Sequence, residues 1–238
     1  MMHVHRDGAS EAATGWSLVV PLKPLSRAKS RLAAATSDDL RPGLALAFAQ
    51  DTVRAVLACP AVRDVVVVTD DPLAADELTA LGALVVPDTP GKGLNAALAH
   101  GAATVRARRP EAPVAALNAD LPALRPMELH RVLTAASEFR RAFLADAAGI
   151  GTTFLAAAPQ WELDPAFGGP SRARHRATGA HDISLPDVPS VRQDVDTGPD
   201  LRAAVLMGVG PHTAALLGID DTPPPAPSAP AGSPLPPG

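Results

Sequence analysis

The chain has 238 residues, of which 47 % are hydrophobic, 19 % charged and 3 % aromatic, and its formal net charge is −4. This length suits one large domain with a substantial core. The acidic balance and the lack of tyrosine exclude a basic, aromatic-rich surface for nucleic acids. The single cysteine, Cys59, excludes an internal disulfide and a cysteine-rich metal site. Because no apolar run matches a membrane span and residues 1–15 lack a signal-peptide core, we expect no membrane partner and a cytoplasmic location.

Short apolar runs alternate with helical patterns after residues 1–15, which are expected to form a flexible N-terminal extension. Strands are predicted at residues 16–21, 64–69, 83–87 and 113–118, and helices at residues 42–59, 72–81, 94–108 and 126–137. Continuous apolar strands are typical of parallel sheets covered on both faces. The order therefore predicts one α/β domain, residues 16–221, with a Rossmann-like, mostly parallel central sheet and helices on both faces.

The pattern changes after residue 142. Two further strands are predicted at residues 142–146 and 152–157, around a Gly149-Ile150-Gly151 turn, and another at residues 191–195. Residues 222–238 contain eight prolines and almost no large apolar side chains. Such a segment cannot pack a core, so a disordered Pro-rich tail is expected there.

Three aspartates stand out by their positions. Asp120 follows the apolar run 113–117, where a buried strand ends, and ligands bind at that edge of an open α/β sheet. Asp194 and Asp196 are two residues apart, so on a strand both carboxylates project from one face. Because grouped carboxylates repel one another, Mg²⁺ is the expected neutralising ion and phosphate chemistry is indicated. The alternative is structural: a turn at Asp120 and a helix N-cap at Asp196.

Four cations follow the first predicted strand: Lys23, Arg27, Lys29 and Arg31. Their position past the carboxyl end of that strand suits neutralisation of a triphosphate. Lys23, Lys29 and Arg31 are the candidate catalytic residues, expected to stabilise the triphosphate and the departing pyrophosphate. The alternative is a solvated basic loop, which is the usual role of a charge run.

Five segments occur in an order that resembles one family. They are the loop after the first strand, Gly93-Leu94-Asn95-Ala96-Ala97-Leu98, Asn118-Ala119-Asp120-Leu121-Pro122, Phe167-Gly168-Gly169-Pro170-Ser171 and Asp194-Val195-Asp196-Thr197. The chain resembles the guanylyltransferases of deazaflavin coenzyme biosynthesis from about residue 16 to residue 217. The glycine-free Pro-Leu-Lys-Pro-Leu loop resembles this subfamily and argues against molybdopterin or sugar nucleotidyltransferases. The resemblance implies a nucleotidyltransferase fold.

The resemblance also implies residue roles. Asp120, Asp194 and Asp196 match the aspartates that hold Mg²⁺ in the family. Thr152, Gly168 and Ser171 match positions that bind the phosphorylated three-carbon acid.

Further contacts are predicted from the neighbouring residues. Arg172 and Arg174 are candidate clamps for the carboxylate or phosphate of the acid. Gly93, Leu94 and Asn95 are expected to line the nucleotide, unless they only begin a helix. Thr69 and Asp70 either contact the base or ribose or form only a turn.

The expected reaction moves GMP from GTP to phosphoenolpyruvate, with 2-phospho-L-lactate and then 3-phosphoglycerate as the next choices of acid. The product is expected to be unstable, so the next enzyme of the pathway is a candidate partner. A dianionic phosphate oxygen attacks without a general base, so no catalytic histidine is assigned and His175 and His181 are interpreted as surface or structural. A nucleotide-sugar glycosyltransferase and a non-catalytic GTP-binding module are the competing hypotheses.

Overall fold

The computed structural model describes residues 15–27, 32 and 40–219. Lys29, Arg31, nearly all of the expected N-terminal extension and the Pro-rich tail therefore lie outside the described residues. Within the described part, the strands are β1 (Trp16–Pro21), β2 (Val62–Val68), β3 (Leu84–Val86), β4 (Val114–Leu117), β5 (Arg141–Ala145), β6 (Thr152–Ala157) and β7 (His181–Asp182). The α-helices are α1 (Leu40–Leu57), α2 (Pro72–Ala80), α3 (Leu94–Arg108), α4 (Pro126–Ala136), α5 (Ser171–Ala177), α6 (Pro189–Arg192), α7 (Gly198–Met207) and α8 (Pro211–Leu217).

The strands form one mixed sheet in the order β3-β2-β1-β4-β6-β5-β7. The pairs β1–β2, β2–β3, β1–β4 and β5–β7 are parallel, whereas β6 is antiparallel to both β4 and β5. The predicted α/β domain with a mostly parallel sheet is thus confirmed. After β1, the chain adds β2 and β3 on one side of that strand and then places β4 on its other side. A topological switch point therefore lies between β1 and β4.

Apolar side chains alternate between the two faces of the sheet. Leu18 and Val20 of β1 pack with Val53 and Val56 of α1, while Val19 packs with α3 on the other face. Close contact with α3 requires a glycine, because a Cβ on Gly101 would lie 2.4 Å from Cγ1 of Val19. The two cores cover both faces, as continuous apolar strands require.

One predicted strand is wrong. Residues 191–195 do not pair with the sheet: Val191 and Arg192 end the short helix α6, and Gln193 to Asp196 form an irregular segment. The free edge of β5 is occupied by β7, which pairs with it through Ala142 and Phe143. A proline at the start of α6 also favours the first turn of a helix over a paired strand.

The described helices include none that is both long and apolar enough to cross a lipid bilayer.

Candidate active site

A cleft of about 620 Å³ opens at the switch point, between the ends of β1 and β4. The start of β6 reaches the same edge because this strand runs antiparallel to β4. Eight of the predicted site residues line this cleft: Lys23, Leu94, Asp120, Thr152, Gly168, Ser171, Asp194 and Asp196. The fold therefore brings the acidic residues, one of the candidate catalytic cations and the glycine-serine segment into one site of a size that suits a small ligand.

Asp120 is held by bonds to the backbone on either side of it. The Leu121 N–H donates to Oγ1 of the buried Thr52 on α1 at 3.0 Å, and the Ala119 carbonyl lies 3.2 Å from the same oxygen. The Asp120 side chain is half-buried, and its Oδ1 atom is shielded from solvent. The predicted turn before a helix is present, since α4 begins at Pro126, and this turn places Asp120 at the cleft.

The second acidic segment is fastened directly to the first. The Val195 N–H donates to the Asp120 carbonyl at 3.0 Å, and the fully buried Val195 side chain packs with Leu44 and Phe48 of α1. With Val195 turned inward, Asp194 and Asp196 both line the cleft. Two carboxylates two residues apart thus share one side of the segment, as the spacing predicts, although the segment is not a strand.

Asp196 is not the N-cap of the following helix. Thr197 caps α7 through a capping box with Asp200, whose Oδ2 also accepts the Asp196 N–H at 3.2 Å. Asn118 connects the two acidic segments, because its amide nitrogen lies 3.4 Å from Oδ2 of Asp194. Thr197 is therefore the N-cap of α7, and Asp196 lines the cleft.

The three aspartates do not form a preassembled metal centre. Among the described residues, no three His, Cys, Asp or Glu side chains converge closely enough to hold a metal ion. The donors nevertheless suit Mg²⁺, which prefers oxygen ligands and takes only one or two carboxylates alongside substrate phosphates and water. Carboxylates at one cleft also repel each other until a cation is present. The arrangement therefore fits an ion whose coordination is completed by a phosphate substrate.

The residues after β1 supply positive charge to the same cleft. Lys23 and Arg27 are exposed and line the cleft, Arg27 at the end of a 3-10 turn at Leu25–Arg27. Leu25 is anchored by its N–H, which donates to Oδ2 of Asp71 at 2.9 Å. Arg27 is a cleft residue that the sequence-based choice of catalytic cations omitted, although it belongs to the same charge run.

Phe167, Gly168, Gly169 and Ser171 form one wall of the cleft, the glycine-serine wall. Gly168 and Gly169 have φ angles of 94° and 48°, which L side chains rarely adopt, so both glycines are required for this turn. Asn95 holds the segment in place: its Oδ1 accepts the Phe167 N–H at 2.8 Å and its Nδ2 donates to the Phe167 carbonyl at 3.2 Å. Asn95 itself is not among the residues that line the cleft.

Asp146 is a cleft residue that the sequence analysis missed. It lies at the end of β5, where its two carboxylate oxygens accept the Ile150 and Gly151 N–H groups at 2.9 and 2.8 Å. The aspartate before a glycine-rich turn is the only local signal for this role. A Cβ on Gly151 would lie 2.3 Å from Asp146 Oδ2. A larger residue at position 151 would therefore displace the Asp146 side chain from its place in the cleft.

Arg172 and Arg174 lie beside the cleft and do not line it. Arg172 donates to Asp182 at 2.9 Å and to the Gly149 carbonyl at 3.1 Å, which ties α5 to the turn between β5 and β6. Partial burial acts to raise the pKa of the Asp182 carboxyl, but the hydrogen bonds and charges of Arg176 and Arg172 together lower it. Arg174 is exposed, and a guanidinium nitrogen would lie 3.7 Å from a Cβ on Gly168.

Thr69, Asp70 and Gly93 lie outside the lining as well. Thr69 accepts the Asp71 N–H at 3.2 Å, and Asp70 accepts the Asp88 N–H at 2.8 Å, so both organise the turns after β2 and β3. Gly93 precedes α3 with a φ of 91°.

The exposed His181 stacks on Phe139, whereas His175 is fully buried behind Thr152.

Comparison with known proteins decides the family. The family model described as "Guanylyl transferase CofC like" matches residues 16–219. The chain belongs to this family. The match covers every described residue of the cleft.

Several relatives of this CofC-like chain carry the same name. A phosphoenolpyruvate guanylyltransferase of Streptomyces coelicolor is 72 % identical over 201 residues, covering 84 % of this chain and 95 % of the relative. One of Thermomonospora curvata is 60 % identical over 210 residues, covering 88 % and 92 %.

Solved structures agree on the fold. A Methanothermobacter nucleotidyl transferase has a TM-score of 0.59 at 23 % identity, covering 81 % of this chain and 97 % of that one. A CMP:2-keto-3-deoxy-manno-octonic acid synthetase complexed with CTP has a TM-score of 0.54 at 16 % identity, covering 82 % and 98 %. The CofC-like chain therefore has the nucleotidyltransferase fold.

Proposed function

We propose that the protein transfers GMP from GTP to the phosphate of phosphoenolpyruvate and releases pyrophosphate. One observation carries this proposal: the acidic segments, the cations after β1 and the glycine-serine wall meet in one cleft at the switch point of the sheet. Membership of the guanylyl transferase family and the names of the relatives support the choice of nucleotide and acid. We also propose the cytoplasm as its location, since both substrates are cytoplasmic metabolites.

The reaction needs no base from the protein. The second pKa of a phosphate monoester is about 6, so the acid is largely dianionic at neutral pH. One of its oxygens forms a bond to the α-phosphorus of GTP, while the bond from that phosphorus to the bridging oxygen of the β-phosphate breaks. The electron pair of the broken bond leaves with pyrophosphate.

The protein's part is then positioning and charge stabilisation. Lys23 and Arg27 provide positive charge for the triphosphate and the leaving pyrophosphate, with Lys29 and Arg31 proposed to add to it. Thr152 and Ser171 offer hydroxyl groups to the acid, and the glycine pair lets backbone amides approach its anionic groups.

Asp120, Asp194 and Asp196 would hold Mg²⁺, whose positive charge would offset the negative charge of the substrate phosphates. Asp146 adds a fourth carboxylate to the same cleft, and each of its two oxygens accepts one N–H bond from the turn between β5 and β6.

A substrate panel tests the proposal. Purified protein with GTP and Mg²⁺ should release pyrophosphate with phosphoenolpyruvate and more slowly, or not at all, with 2-phospho-L-lactate and 3-phosphoglycerate. Replacing GTP by ATP tests whether the protein selects the guanine base. Absence of turnover with every acid would overturn the proposal; GTP binding alone would favour a binding module, and hydrolysis of a nucleotide sugar would favour a glycosyltransferase.

A further inference from the structure

His175 lies fully buried behind the wall of the cleft and contacts two parts of the site at once. Its Nδ1 atom is 3.1 Å from Oγ1 of Thr152, and its Nε2 atom is 2.9 Å from the Ala166 backbone nitrogen. The ring packs edge-on against Phe167, with 4.9 Å between the ring centroids. One side chain thus joins a residue of the cleft to the segment that leads into the glycine pair.

The contact with Ala166 fixes the tautomer. A backbone N–H can only donate, so Nε2 of His175 must be the accepting nitrogen and a neutral ring carries its proton on Nδ1. That proton is donated to Oγ1 of Thr152. The hydroxyl of Thr152 therefore accepts on its protein side and keeps its own proton for another partner.

The cleft is where that proton can go. Thr152 lines the cleft, and in the described part of the chain no carbonyl or carboxylate accepts its hydroxyl proton. A hydroxyl forced to donate toward the cleft suits an anion and disfavours a ligand group that can only donate.

We propose that His175 is a positioning residue that fixes the Thr152 hydroxyl as a donor to the phosphate or carboxylate of the acid substrate. The proposal deepens the proposed function and rests on it. His175 acts through Thr152 and touches no reacting atom. The same ring holds Ala166, so the donor and the glycine-serine wall keep one fixed spacing.

The charge state of the ring supports this arrangement. Burial lowers the pKa of His175 to about 4, with the charge of Arg174 lowering it further; Asp164 acts in the opposite direction and Arg141 in the same one. The ring is therefore neutral at physiological pH, and the single proton on Nδ1 stays in place.

Substitutions at His175 separate its two contacts. His175→Gln places an amide near the Nε2 position, where its oxygen can accept from Ala166 but Thr152 loses its donor. His175→Asn places an amide near the Nδ1 position, where its nitrogen can still donate to Thr152. The expected result is a rise of about tenfold in the KM for phosphoenolpyruvate with His175→Gln, a smaller rise with His175→Asn, and an unchanged KM for GTP.

A cycle with Thr152→Val distinguishes positioning from mere structural support. If His175 acts through the hydroxyl, His175→Gln has little further effect on the KM for the acid once Thr152 is valine. An equal rise in both backgrounds would overturn the proposal. Calorimetric titration of the same four proteins with phosphoenolpyruvate gives dissociation constants without turnover, so failure of the proposed function is distinguishable from failure of this inference.

The tautomer is measurable in the unaltered protein. Nitrogen-15 NMR of its imidazole groups should show for His175 a protonated Nδ1 and an unprotonated Nε2 at pH 7. The opposite tautomer would reverse the hydroxyl of Thr152 and overturn the proposal whatever the variants do.

Discussion

At the residue scale, the acidic site is built from side chains whose backbones are fixed by neighbours. Thr52 holds the backbone around Asp120, and Val195 joins that backbone to the second acidic segment by one hydrogen bond. The carboxylates themselves remain at the cleft. Removing a carboxylate charge should therefore affect the reaction far more than the fold.

Asp120→Asn should fold normally and lose activity by about two or more orders of magnitude, because charge compensation around the phosphates is lost. Asp196→Asn should behave in the same way. Pyrophosphate release across a range of Mg²⁺ concentrations measures this. Asp76→Asn, which removes an exposed carboxylate on α2, is the matched control. Near-normal turnover in both cleft variants would assign these aspartates to turns alone.

His175 also predicts a dependence of stability on pH. Its pKa is about 4 in the folded protein and 6.5 when unfolded, so the unfolded chain binds more protons between these values. The free energy of unfolding should fall as the pH drops from 6.5 toward 4, by about 2 kcal/mol between pH 7 and pH 5. Well below pH 4, where both states are fully protonated, this contribution stops changing.

Urea unfolding at pH 7 and pH 5 checks the value. His175→Asn should lose this part of the pH dependence, whereas His181→Asn, at an exposed histidine, should keep it. The same slope in both variants would show that other groups cause the effect.

At the element scale, helices and strands that bury a repeating apolar face were predictable. β1, α3 and β6 have the predicted bounds, and the other predicted helices and strands, apart from that at residues 191–195, agree within about two residues. The segment after α6 was not predictable, because Val191 and Val195 are four residues apart and would share one face of a strand. Its true partners, the Asp120 carbonyl and the α1 core, are distant in sequence.

The residues of the candidate site were also predictable to different degrees. Residues in short motifs, such as Asp120 and Ser171, were found at the cleft as predicted. Asn95 lies in another of these motifs and Arg172 directly follows one, but their roles depend on partners outside the motif, namely Phe167 for Asn95 and Asp182 and Gly149 for Arg172. The local sequence pattern predicts which segments meet at the site. Only the packed structure shows which of their residues line the cleft and which hold other residues in place.

The connection between α3 and the glycine-serine wall predicts a selective effect of Asn95→Ala. Loss of both bonds to Phe167 should loosen the wall and raise the KM for the acid about tenfold, at least as much as the KM for GTP. Steady-state kinetics with each substrate varied measures the split. Gln160→Ala, at an exposed amide, is the control. A change confined to the KM for GTP would instead support direct nucleotide binding by Asn95.

At the scale of the whole molecule, α8, the last helix of the described residues, is fastened to α1. Asp51 of α1 is buried and accepts the His212 and Thr213 N–H groups at 3.0 and 2.8 Å. The Gly210 N–H donates to the Pro122 carbonyl at 2.8 Å, close to Asp120 in sequence. One carboxylate thus fastens α8 to the helix that also supports the cleft.

Asp51→Ala should lower the free energy of unfolding by about 3 kcal/mol, because two buried N–H groups lose a charged acceptor. The KM values should change much less, since Asp51 does not reach the cleft. Chemical denaturation beside Asp76→Ala measures the loss. A stability within experimental error of the unaltered protein would contradict the bracing role.

The most direct measurement of the central claim follows an oxygen label. Phosphoenolpyruvate with oxygen-18 in its phosphate, incubated with the protein, GTP and Mg²⁺, should be consumed in step with release of pyrophosphate that carries no label. This result is predicted because the acid's oxygen attacks the α-phosphorus and the β- and γ-phosphates leave intact. Label in the released pyrophosphate, or no pyrophosphate at all, would contradict the account.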